Sequence, residues 1–347
     1  MKVALAYNVK KDCLPPEVAG ASLQEFYAEC DSFDTIAAIQ GALAERHEVA
    51  LIEADEEAYG KLRDQRPAFV FNFAEGLWGA ARESQVPAML EMLRIPYTGS
   101  DPLTLALCLD KRRTSEVLGF RSIATAHSWI ADAREVHVPP CAKFPAVVKP
   151  VAEGSSKGIR NTSFVRNEAE LKLEQQRVAT TVGGQVLVEE FLPGREFTVA
   201  MLGNQPNLQF LPIVEVRLDR LPEGANPIYS YEAKWDWDTE DDPIAMYECP
   251  AKIGIDLRES IVELCRAAWN ALQLRDWARI DVRLDADGLP HILEINPIPG
   301  CLPRPDQNSA FPTAARAAGL SFSRVIHTVL DSALARYNMP ASGRDLS

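Results

Sequence analysis

The sequence lacks the features that would place its 347 residues in several large protein classes. No apolar run approaches the roughly 18–20 residues that cross a bilayer, and the N-terminal residues enter a strand-like pattern without the apolar segment of a signal peptide. The seven cysteines are odd in number and scattered, with no Cys-x-x-Cys pair, and the five histidines form no cluster. These absences argue against a membrane span, a disulfide framework and a zinc ribbon, and they favour a reducing, cytoplasmic compartment.

Positive charge is also scarce. Lys and Arg total 36 against 49 Asp and Glu, which gives a formal net charge of −13. Such a chain is a poor candidate for non-specific binding to nucleic acid, which requires a surplus of cations. The sequence also lacks the Gly-x4-Gly-Lys-Ser/Thr phosphate loop and the Gly-x-Gly-x-x-Gly dinucleotide motif. We therefore expect small-molecule partners, and neither nucleic acid nor a membrane.

Apolar material is plentiful, since 47% of the residues are hydrophobic. At about 150 residues per domain, the length favours two domains, or three. Near the N-terminus three apolar runs have the length of buried strands, and a segment between the first two has helical spacing. The strands are residues 2–7, 49–52 and 69–73, and the helix is residues 32–43. This order predicts a small open α/β unit that ends near Asp101.

From residue 102 onwards the pattern mixes helices with strands. Helical spacing is found at residues 103–118, 261–272 and 322–336. Strand-like runs are found at residues 146–149, 186–192, 196–202 and 211–216. We therefore expect an α+β fold with antiparallel strands for the middle and C-terminal parts.

The sharpest local signal is a hairpin. Residues 277–284 alternate between apolar and polar side chains, residues 285–288 form a turn pattern, and residues 289–296 form the return strand. A symmetric turn places Glu294 opposite Arg279 and Ile292 opposite Asp281.

Because side chains alternate between the two faces of a strand, the hairpin has an apolar and a polar face. The apolar face is expected to be core and comprises Ala278, Ile280, Val282, Leu284, Leu293 and Ile295. The polar face comprises Arg279, Asp281, Glu294 and Asn296. A one-residue bulge would change this assignment.

The polar face predicts a metal site. The carboxylates of Asp281 and Glu294 and the amide oxygen of Asn296 are ligands that suit Mg²⁺ or Mn²⁺ better than zinc. Arg279 beside them would stabilise a developing oxyanion or a phosphoryl oxygen. The alternative is a solvated face with an ordinary Arg–Glu cross-strand pair, which is common and weak.

Two further segments carry signals for phosphate and nucleotide. Lys149 is followed by a small-residue loop at 153–158, whose backbone N–H groups and hydroxyls could approach a phosphate, although a plain turn is the commoner interpretation of such a loop. Lys111 could be a second phosphate cation or a surface residue of a helix. The apolar strand at 186–192 contains two adjacent carboxylates that could bind an adenine or a ribose, or it is an edge strand with outward acids.

These segments occur in an order that resembles the ATP-grasp ligases, most closely the D-alanine–D-alanine ligase family. The matching stretches are residues 71–72, 95–100, 110–111, 144–150 with 153–158, 188–191, 194–196, 231–234, 279–281, 294–297 and 309–319. Residues 1–70 resemble the family in architecture only. The resemblance implies an α/β N-terminal domain at residues 1–101. It also implies an α+β ATP-grasp fold in which a central subdomain (102–192) and a C-terminal subdomain (193–347) clamp ATP.

The resemblance also implies roles for individual residues. For ATP, Lys111 and Lys149 would contact phosphates, and Ser155 and Ser156 would donate to them from the closing loop. The adenine would lie against Glu189, Glu190, Phe191 and Leu192, and the ribose would bind Glu196. Two Mg²⁺ ions, or Mn²⁺, would bind Asp281, Glu294 and Asn296. The expected catalytic groups are Arg279 for the tetrahedral intermediate, Lys234 for the γ-phosphate, and Ser156.

Four departures from the family surround the predicted amino-acid pockets. The family's Gly-Gly-x-Ser-x-Glu segment is missing, and Glu29 or Asp31 is a candidate to replace its acid. The family's His-Gly is Glu75-Gly76 here, and its tyrosine after the loop lysine is Trp235. The segment from Gly300 to Ser309, which would hold the carboxylate of the second amino acid, is longer than usual. We therefore count Glu75, Trp235, Gly300 and Ser309 as candidate substrate residues.

The leading hypothesis is an ATP-dependent carboxylate–amine ligase that forms an amide through an acyl phosphate and has altered amino-acid pockets. The first alternative is D-alanine–D-alanine ligase proper. A degenerate ATP-binding regulatory module and a small-molecule kinase are the alternatives from other classes. The resemblance also implies a possible homodimer.

Overall fold

The N-terminal part is built on a three-stranded parallel sheet. The computed structural model describes residues 1–18, 22–131, 138–140, 142–181, 185–238 and 244–340. The sheet has the order β2-β1-β3 and consists of β1 (Lys2–Tyr7), β2 (Glu48–Glu53) and β3 (Phe69–Phe73). Its helices are α1 (Leu23–Phe26), α2 (Phe33–Ala44), α3 (Ala58–Gln65) and α4 (Gln85–Leu93). The predicted strands and α2 are confirmed. The prediction passed over α3, whose only buried residues are Ala58 and Leu62, because so few apolar positions give little periodicity.

The predicted helix at 103–118 is wrong as a single element. The chain forms α5 (Pro102–Leu109) and α6 (Lys111–Phe120), which are separated by Asp110 in an extended conformation (φ −86°, ψ 96°). The carboxylate of Asp110 accepts a hydrogen bond from the backbone N–H of Arg113 (2.9 Å) and so caps the second helix. The break places Lys111 at the first position of α6, where its backbone N–H donates to the carbonyl of Val151 (3.0 Å).

The middle part is a four-stranded antiparallel sheet of order β4-β7-β5-β6. It consists of β4 (Ser128–Ala131), β5 (Ala146–Pro150), β6 (Phe164–Val165) and β7 (Val186–Glu190), and α7 (Glu168–Thr181) packs against it. The strand with the two adjacent acids is β7, which pairs on both sides. The edge-strand alternative for this segment is therefore wrong.

The C-terminal part contains a six-stranded antiparallel sheet of order β11-β10-β8-β12-β13, in which β9 also pairs with β8. Its strands are β8 (Glu196–Leu202), β9 (Gln209–Phe210), β10 (Val214–Val216), β11 (Tyr247–Glu248), β12 (Trp277–Leu284) and β13 (Pro290–Asn296). Its helices are α8 (Ile255–Leu272), α9 (Ala310–Ala317) and α10 (Phe322–Arg336). The expected α+β pattern is confirmed. The run predicted as one strand at 211–216 enters the sheet only from Val214.

The hairpin forms as predicted, but its register is different. Asp281 lies opposite Glu294 and Arg279 lies opposite Asn296, and the register shifts between Asp281 and Val282. This bulge places Ile292 opposite Val282 in the core, where Ile292 is 3% exposed. Leu293, which was expected in the core, is half-buried and lines a cavity instead. The four polar residues keep a common face because they lie on one side of the shift.

The largest hydrophobic cluster joins the two ends of the chain. Phe71 on β3 contacts Trp277 on β12 with 6.0 Å between ring centroids, and Trp277 contacts Phe311 on α9 at 5.7 Å. Each sheet lies inside one of the three predicted segments, whereas the domain boundaries at 101 and 192 stay a prediction. Among the described helices, none has the length and apolarity to cross a membrane. The six described cysteines are free thiols.

Candidate active site

Two adjoining cavities lie where the middle and C-terminal sheets face each other. The first has a volume of about 150 Å³ and is lined by strands β5, β7, β8 and β12 and by the loop at 153–158. The second has a volume of about 740 Å³ and extends towards the N-terminal part. Both are lined by Ser155, Lys234, Tyr247, Arg279, Glu294 and Ala310. A ligand in the first cavity can therefore meet a ligand in the second at these residues.

The residues predicted to bind the nucleotide all line the first cavity. They are Lys111, Lys149, Ser155, Ser156, Glu189, Glu190, Phe191, Leu192 and Glu196. The Lys149 ammonium lies 2.5 Å from Glu189, and the Lys111 ammonium lies 2.6 Å from Glu294. Burial opposes the charge on Lys111, but the Glu294 carboxylate outweighs it and raises the pKa of Lys111. Both lysines are therefore held beside acids.

Arg283 lines the first cavity and was missed in the sequence. Its guanidinium lies 3.0 Å from the Glu196 carboxylate and 4.6 Å from the centre of the Phe191 ring. Burial raises the pKa of Glu196, although Arg283 acts against this shift. The alternation of β12 places Arg283 on the same face as Arg279 and Asp281, so the pattern contained the signal.

The three predicted metal ligands lie together on the polar face of the hairpin, although in a register that differs from the predicted one. Asp281 and Glu294 are direct cross-strand partners, and the Asn296 carboxamide nitrogen donates to Asp281 over 3.1 Å. The Asp281 carboxylate also accepts two hydrogen bonds from Arg279 (3.0 and 2.9 Å) and one from the Thr198 hydroxyl. Asp281 and Glu294 line the first cavity, whereas Asn296 lines the second.

This donor set fits magnesium. Mg²⁺ takes one or two carboxylates from the protein and completes its shell with waters and substrate phosphates. Within the described ranges, no group of three or more His, Cys, Asp or Glu residues is arranged to hold a metal ion. The protein would therefore supply two carboxylates and one carboxamide, and phosphates and water would complete the shell. Lys111 and Arg279 now neutralise these acids, and a metal ion would replace them.

The loop at 153–158 is both a tight turn and a wall of the cavities. Ser155 and Ser156 have left-handed backbone conformations, with φ of 51° and 59°. The Ser156 hydroxyl donates to the carbonyl of Tyr229 (3.0 Å), and the Trp235 indole N–H donates to the carbonyl of Ser155 (3.2 Å). The turn interpretation and the phosphate-loop interpretation are therefore compatible, since the loop is closed against the segment at 229–235.

Lys234 lies between the two cavities. It stands on a π-helical turn at Glu232–Asp236, and its ammonium lies 3.3 Å from the Ser155 hydroxyl. Burial, and next the positive charge of Arg279, lower the pKa of Lys234 to about 8. Of the described groups, none forms an ion pair with Lys234. Its charge is therefore available to a ligand at the junction of the cavities.

The candidate substrate residues Glu75, Trp235, Gly300 and Ser309 line the second cavity, away from most of the first. The Ser309 hydroxyl donates to the carbonyl of Gly300 (3.0 Å), so the two residues are neighbours. Both acids proposed to replace the missing family glutamate also line this cavity. They differ, because Glu29 is paired with Arg82 (2.7 Å) whereas Asp31 has no hydrogen bond or ion pair from its side chain to the described residues.

Three acids form one wall of the second cavity: Asp31, Glu75 and Glu83. Burial raises the pKa of Asp31 to about 7, against the opposing effect of Lys10. Burial and the nearby Glu29 raise the pKa of Glu83 to about 8, and they raise the pKa of Glu75 well above its ordinary value. The sequence analysis did not predict a role for Arg82 or Glu83, because they lie in a short 3₁₀ turn that has no clear periodicity.

Comparisons with known proteins agree with this geometry. The model of the D-ala D-ala ligase C-terminus family matches residues 117–331. The chain is 33% identical to the D-alanine–D-alanine ligase of Aquifex aeolicus over 302 residues, which cover 86% of this chain and 94% of that protein. It is 37% identical to the uncharacterized protein y4sG of Sinorhizobium fredii over 303 residues, 84% of each chain.

A solved structure shows the same fold. The D-alanine–D-alanine ligase from Bacillus anthracis complexed with ATP superposes with a TM-score of 0.70 at 21% identity, over 97% of this chain and 99% of that chain. The predicted fold class, an α/β N-terminal part with an α+β ATP-grasp fold, is therefore confirmed.

Proposed function

We infer the activity of this chain from its membership of the D-alanine–D-alanine ligase family, whose members are ADP-forming ATP-grasp ligases. We propose that it joins a carboxylate to an amine and forms an amide through an acyl phosphate. One observation carries the proposal. The two cavities meet at Lys234, Arg279 and Glu294, so that the phosphate end of a nucleotide and the reacting group of a second substrate would lie side by side.

The chemistry balances with these parts. A carboxylate oxygen attacks the γ-phosphorus of ATP, the bond to the ADP oxygen breaks, and an acyl phosphate forms. The neutral amine nitrogen then attacks the acyl carbon and a tetrahedral oxyanion forms. Phosphate leaves with the former carboxylate oxygen and takes up the proton that the nitrogen loses. Phosphoryl transfer depends mostly on positioning and charge neutralisation, for which Lys111, Lys149 and Lys234 are suited. We assign the oxyanion to Arg279, which lies at the junction.

Magnesium would be held by Asp281, Glu294 and Asn296, and it supplies charge neutralisation on the phosphates. The loop at 153–158 would cover the phosphates, with Ser155 and Ser156 facing the first cavity. An acyl phosphate hydrolyses readily, and a closed loop excludes the water that would destroy it. The number of metal ions, the use of Mn²⁺, a homodimer and a cytoplasmic location stay predictions.

We further propose that the amino-acid pockets differ from those of D-alanine–D-alanine ligase proper. Support comes from Arg82, which occupies both oxygens of Glu29, and from the acid wall of Asp31, Glu75 and Glu83. A substrate ammonium would bind at this wall, because these acids lack a cation partner among the described side chains. The volume of about 740 Å³ lies within the range of roughly 300–1,000 Å³ that accepts drug-sized ligands, so substrates larger than alanine fit.

D-alanine–D-alanine ligase proper is the second candidate, and the D-alanine–D-alanine ligases among the relatives favour it. The deciding experiment incubates the protein with ATP, Mg²⁺ and pools of D- and L-amino acids, and it measures released ADP and the mass of the product. We expect ADP and an amide whose components are not both D-alanine. Strong selectivity for D-alanine at both positions would favour the second candidate.

The same experiment tests the remaining classes. ADP formed with a carboxylate or hydroxyl compound, and without any need for an amine, would indicate a kinase. Binding of ATP without ADP formation in every pool would indicate a regulatory module and would contradict the proposed ligase.

A further inference from the structure

Arg82 is a buried arginine that contacts the loop at 153–158 from the side of the N-terminal part, and it has no role in the chemistry proposed above. It lies in a short 3₁₀ turn (Arg82–Ser84) and is 5% exposed. It is not among the described residues that line either cavity. A buried guanidinium without hydrogen-bond partners would be very costly, so the groups that it contacts indicate what it holds in place.

Its contacts join the N-terminal part to the start of the loop. The guanidinium donates to both oxygens of Glu29 (2.8 and 2.7 Å) and to the carbonyl of Ala152 (2.9 Å), and it lies 3.2 Å from the Glu153 carboxylate. Glu29 and Glu153 also share a second cation, because the Lys157 ammonium lies 3.6 Å from Glu29 and 2.8 Å from Glu153. Arg82 differs from Lys157 in that it also binds the carbonyl of Ala152, so it connects the N-terminal part to the backbone at the start of the loop.

Glu29 continues the connection into the loop itself. Its carboxylate accepts the backbone N–H of Gly154 (2.9 Å), and it lies 3.6 Å from the Lys157 ammonium. A Cβ atom on Gly154 would lie 2.4 Å from the Glu29 oxygen, so any larger residue here would displace the Glu29 carboxylate from its present position. Burial alone would raise the pKa of Glu29, but Arg82 and Lys157 outweigh burial and hold it below its ordinary value.

The far end of the loop is fixed from the same side. Glu25 on α1 accepts the backbone N–H of Gly158 (3.1 Å) and pairs with Arg160 (2.5 Å). Residues 22–30 thus contact both ends of the loop, although this is the stretch in which the sequence departs from the family pattern. The opposite side of the loop carries Ser155 and Ser156, which face the first cavity.

We propose that Arg82 is a positioning residue for ATP turnover, and that it holds the loop at 153–158 over the phosphates through Glu29, Ala152 and Glu153. The inference rests on the proposed function, since it assumes that ATP occupies the first cavity. Arg82 touches neither substrate nor reacting atoms. Its effect reaches them because the loop excludes water from the acyl phosphate and places two hydroxyls beside the phosphates.

The test compares Arg82→Gln with the intact chain. We expect the KM for ATP to rise about tenfold with a smaller change in kcat, because a displaced loop loses contacts to the bound nucleotide. We also expect more ADP per amide formed, because water reaches the acyl phosphate. Hydrogen exchange of the Gly154 and Gly158 amides should become faster. Arg82→Lys keeps the charge but has one nitrogen in place of the two that reach Glu29 and Ala152, so its effects should lie between those of Arg82→Gln and the intact chain.

Arg63→Gln is the matched control, since Arg63 is an exposed arginine paired with Asp64, and we expect it to change none of these quantities. If Arg82→Gln does not fold, Glu153→Gln can replace it, because this variant removes a single partner of Arg82. It should raise the KM for ATP and the amount of ADP per amide in the same direction but by less. The inference would be overturned if Arg82→Gln lowered the melting temperature but left the KM for ATP, the amount of ADP per amide and the exchange of the Gly154 and Gly158 amides unchanged. Arg82 would then be a purely structural residue. Absence of ADP formation by the intact chain would instead contradict the proposed function.

Discussion

The two cavities differ in how their charges are satisfied. In the first cavity the charged groups are paired with each other: Lys111 with Glu294, Lys149 with Glu189, Arg279 with Asp281, and Arg283 with Glu196. In the second, Asp31, Glu75 and Glu83 face the space without a partner among the described side chains. Lys234 is the exception in the first cavity, since it forms no ion pair with the described residues. The second cavity presents a wall of acids with which a cationic ligand would pair once they are ionised.

This difference separates two ways of preparing a site. A nucleotide with magnesium would bring both signs of charge. Its phosphates would pair with the lysines, and Asp281 and Glu294 would hold the metal in place of Arg279 and Lys111. An ammonium group brings only positive charge and requires free carboxylates. Free carboxylates in a buried wall have raised pKa values and become anionic as the pH rises, so the second cavity should bind an ammonium group more tightly at higher pH.

The largest expected effect comes from breaking the metal side of the first cavity. Glu294→Gln keeps the shape but removes a carboxylate ligand and the partner of Lys111. We expect ADP formation to fall by about a thousandfold or more, since charge stabilisation at the phosphates is lost. Glu116→Gln, in an exposed pair with Arg112, is the control. Turnover close to that of the intact chain, measured by ADP release, would remove the metal assignment.

A substitution at the end of the first cavity where the adenine and ribose are expected should have a smaller effect. Arg283→Ala leaves the buried Glu196 without its partner and removes the cation from the Phe191 ring. We expect the KM for ATP to rise about tenfold to a hundredfold, as is typical when one partner of a buried pair is removed, while kcat changes less. The KM is measured from the rate of ADP release at increasing ATP concentration and saturating amino acid. An unchanged KM would show that the nucleotide base lies elsewhere.

The second cavity can be tested by pH. Raised pKa values, about 7 for Asp31 and about 8 for Glu83, mean that these acids are protonated below those values and become anionic above them. An ammonium substrate should therefore bind more tightly as the pH rises from 6 to 8.5, with a fall of about tenfold in its KM. Glu83→Gln should weaken this dependence. A KM that rises over this interval would argue against an ammonium at the acid wall.

The smallest effect is expected from removing the hydrogen bond between Trp235, which lines the second cavity, and Ser155, which lines both. Trp235→Phe removes the hydrogen bond from the indole N–H to the carbonyl of Ser155. A single neutral hydrogen bond contributes about 1 kcal/mol, so we expect a change of roughly fivefold in kcat/KM for ATP. Trp78→Phe, at a half-exposed tryptophan, is the control. An effect as large as that of Glu294→Gln would mean that Trp235 contacts a substrate directly.

Much of the first cavity could be predicted because its residues stand in short local patterns. The alternation of β12 and β13 places Asp281, Glu294 and Asn296 on one face, and small-residue spacing marks the loop after Lys149. The predicted register of the hairpin was wrong because it did not include the bulge at Asp281. A bulge depends on how the hairpin packs on the sheet, and it leaves no period in the sequence. Arg283 was within reach of the same alternation and was overlooked.

The sequence by itself determined the elements, the motif order and the residue types that nucleotide chemistry requires, because strand and helix periods follow from bonds between near neighbours. Only the tertiary structure decided which charges meet: Arg82 finds Glu29 across 53 residues, and Arg283 finds Glu196 across 87. The pair of Arg283 and Glu196 depends on the pairing of β12 with β8, and the pair of Arg82 and Glu29 depends on the packing of two segments that are distant in the sequence. No local period records either contact. The charge of the second cavity is therefore a property of the fold, although every residue that creates it can be read from the chain.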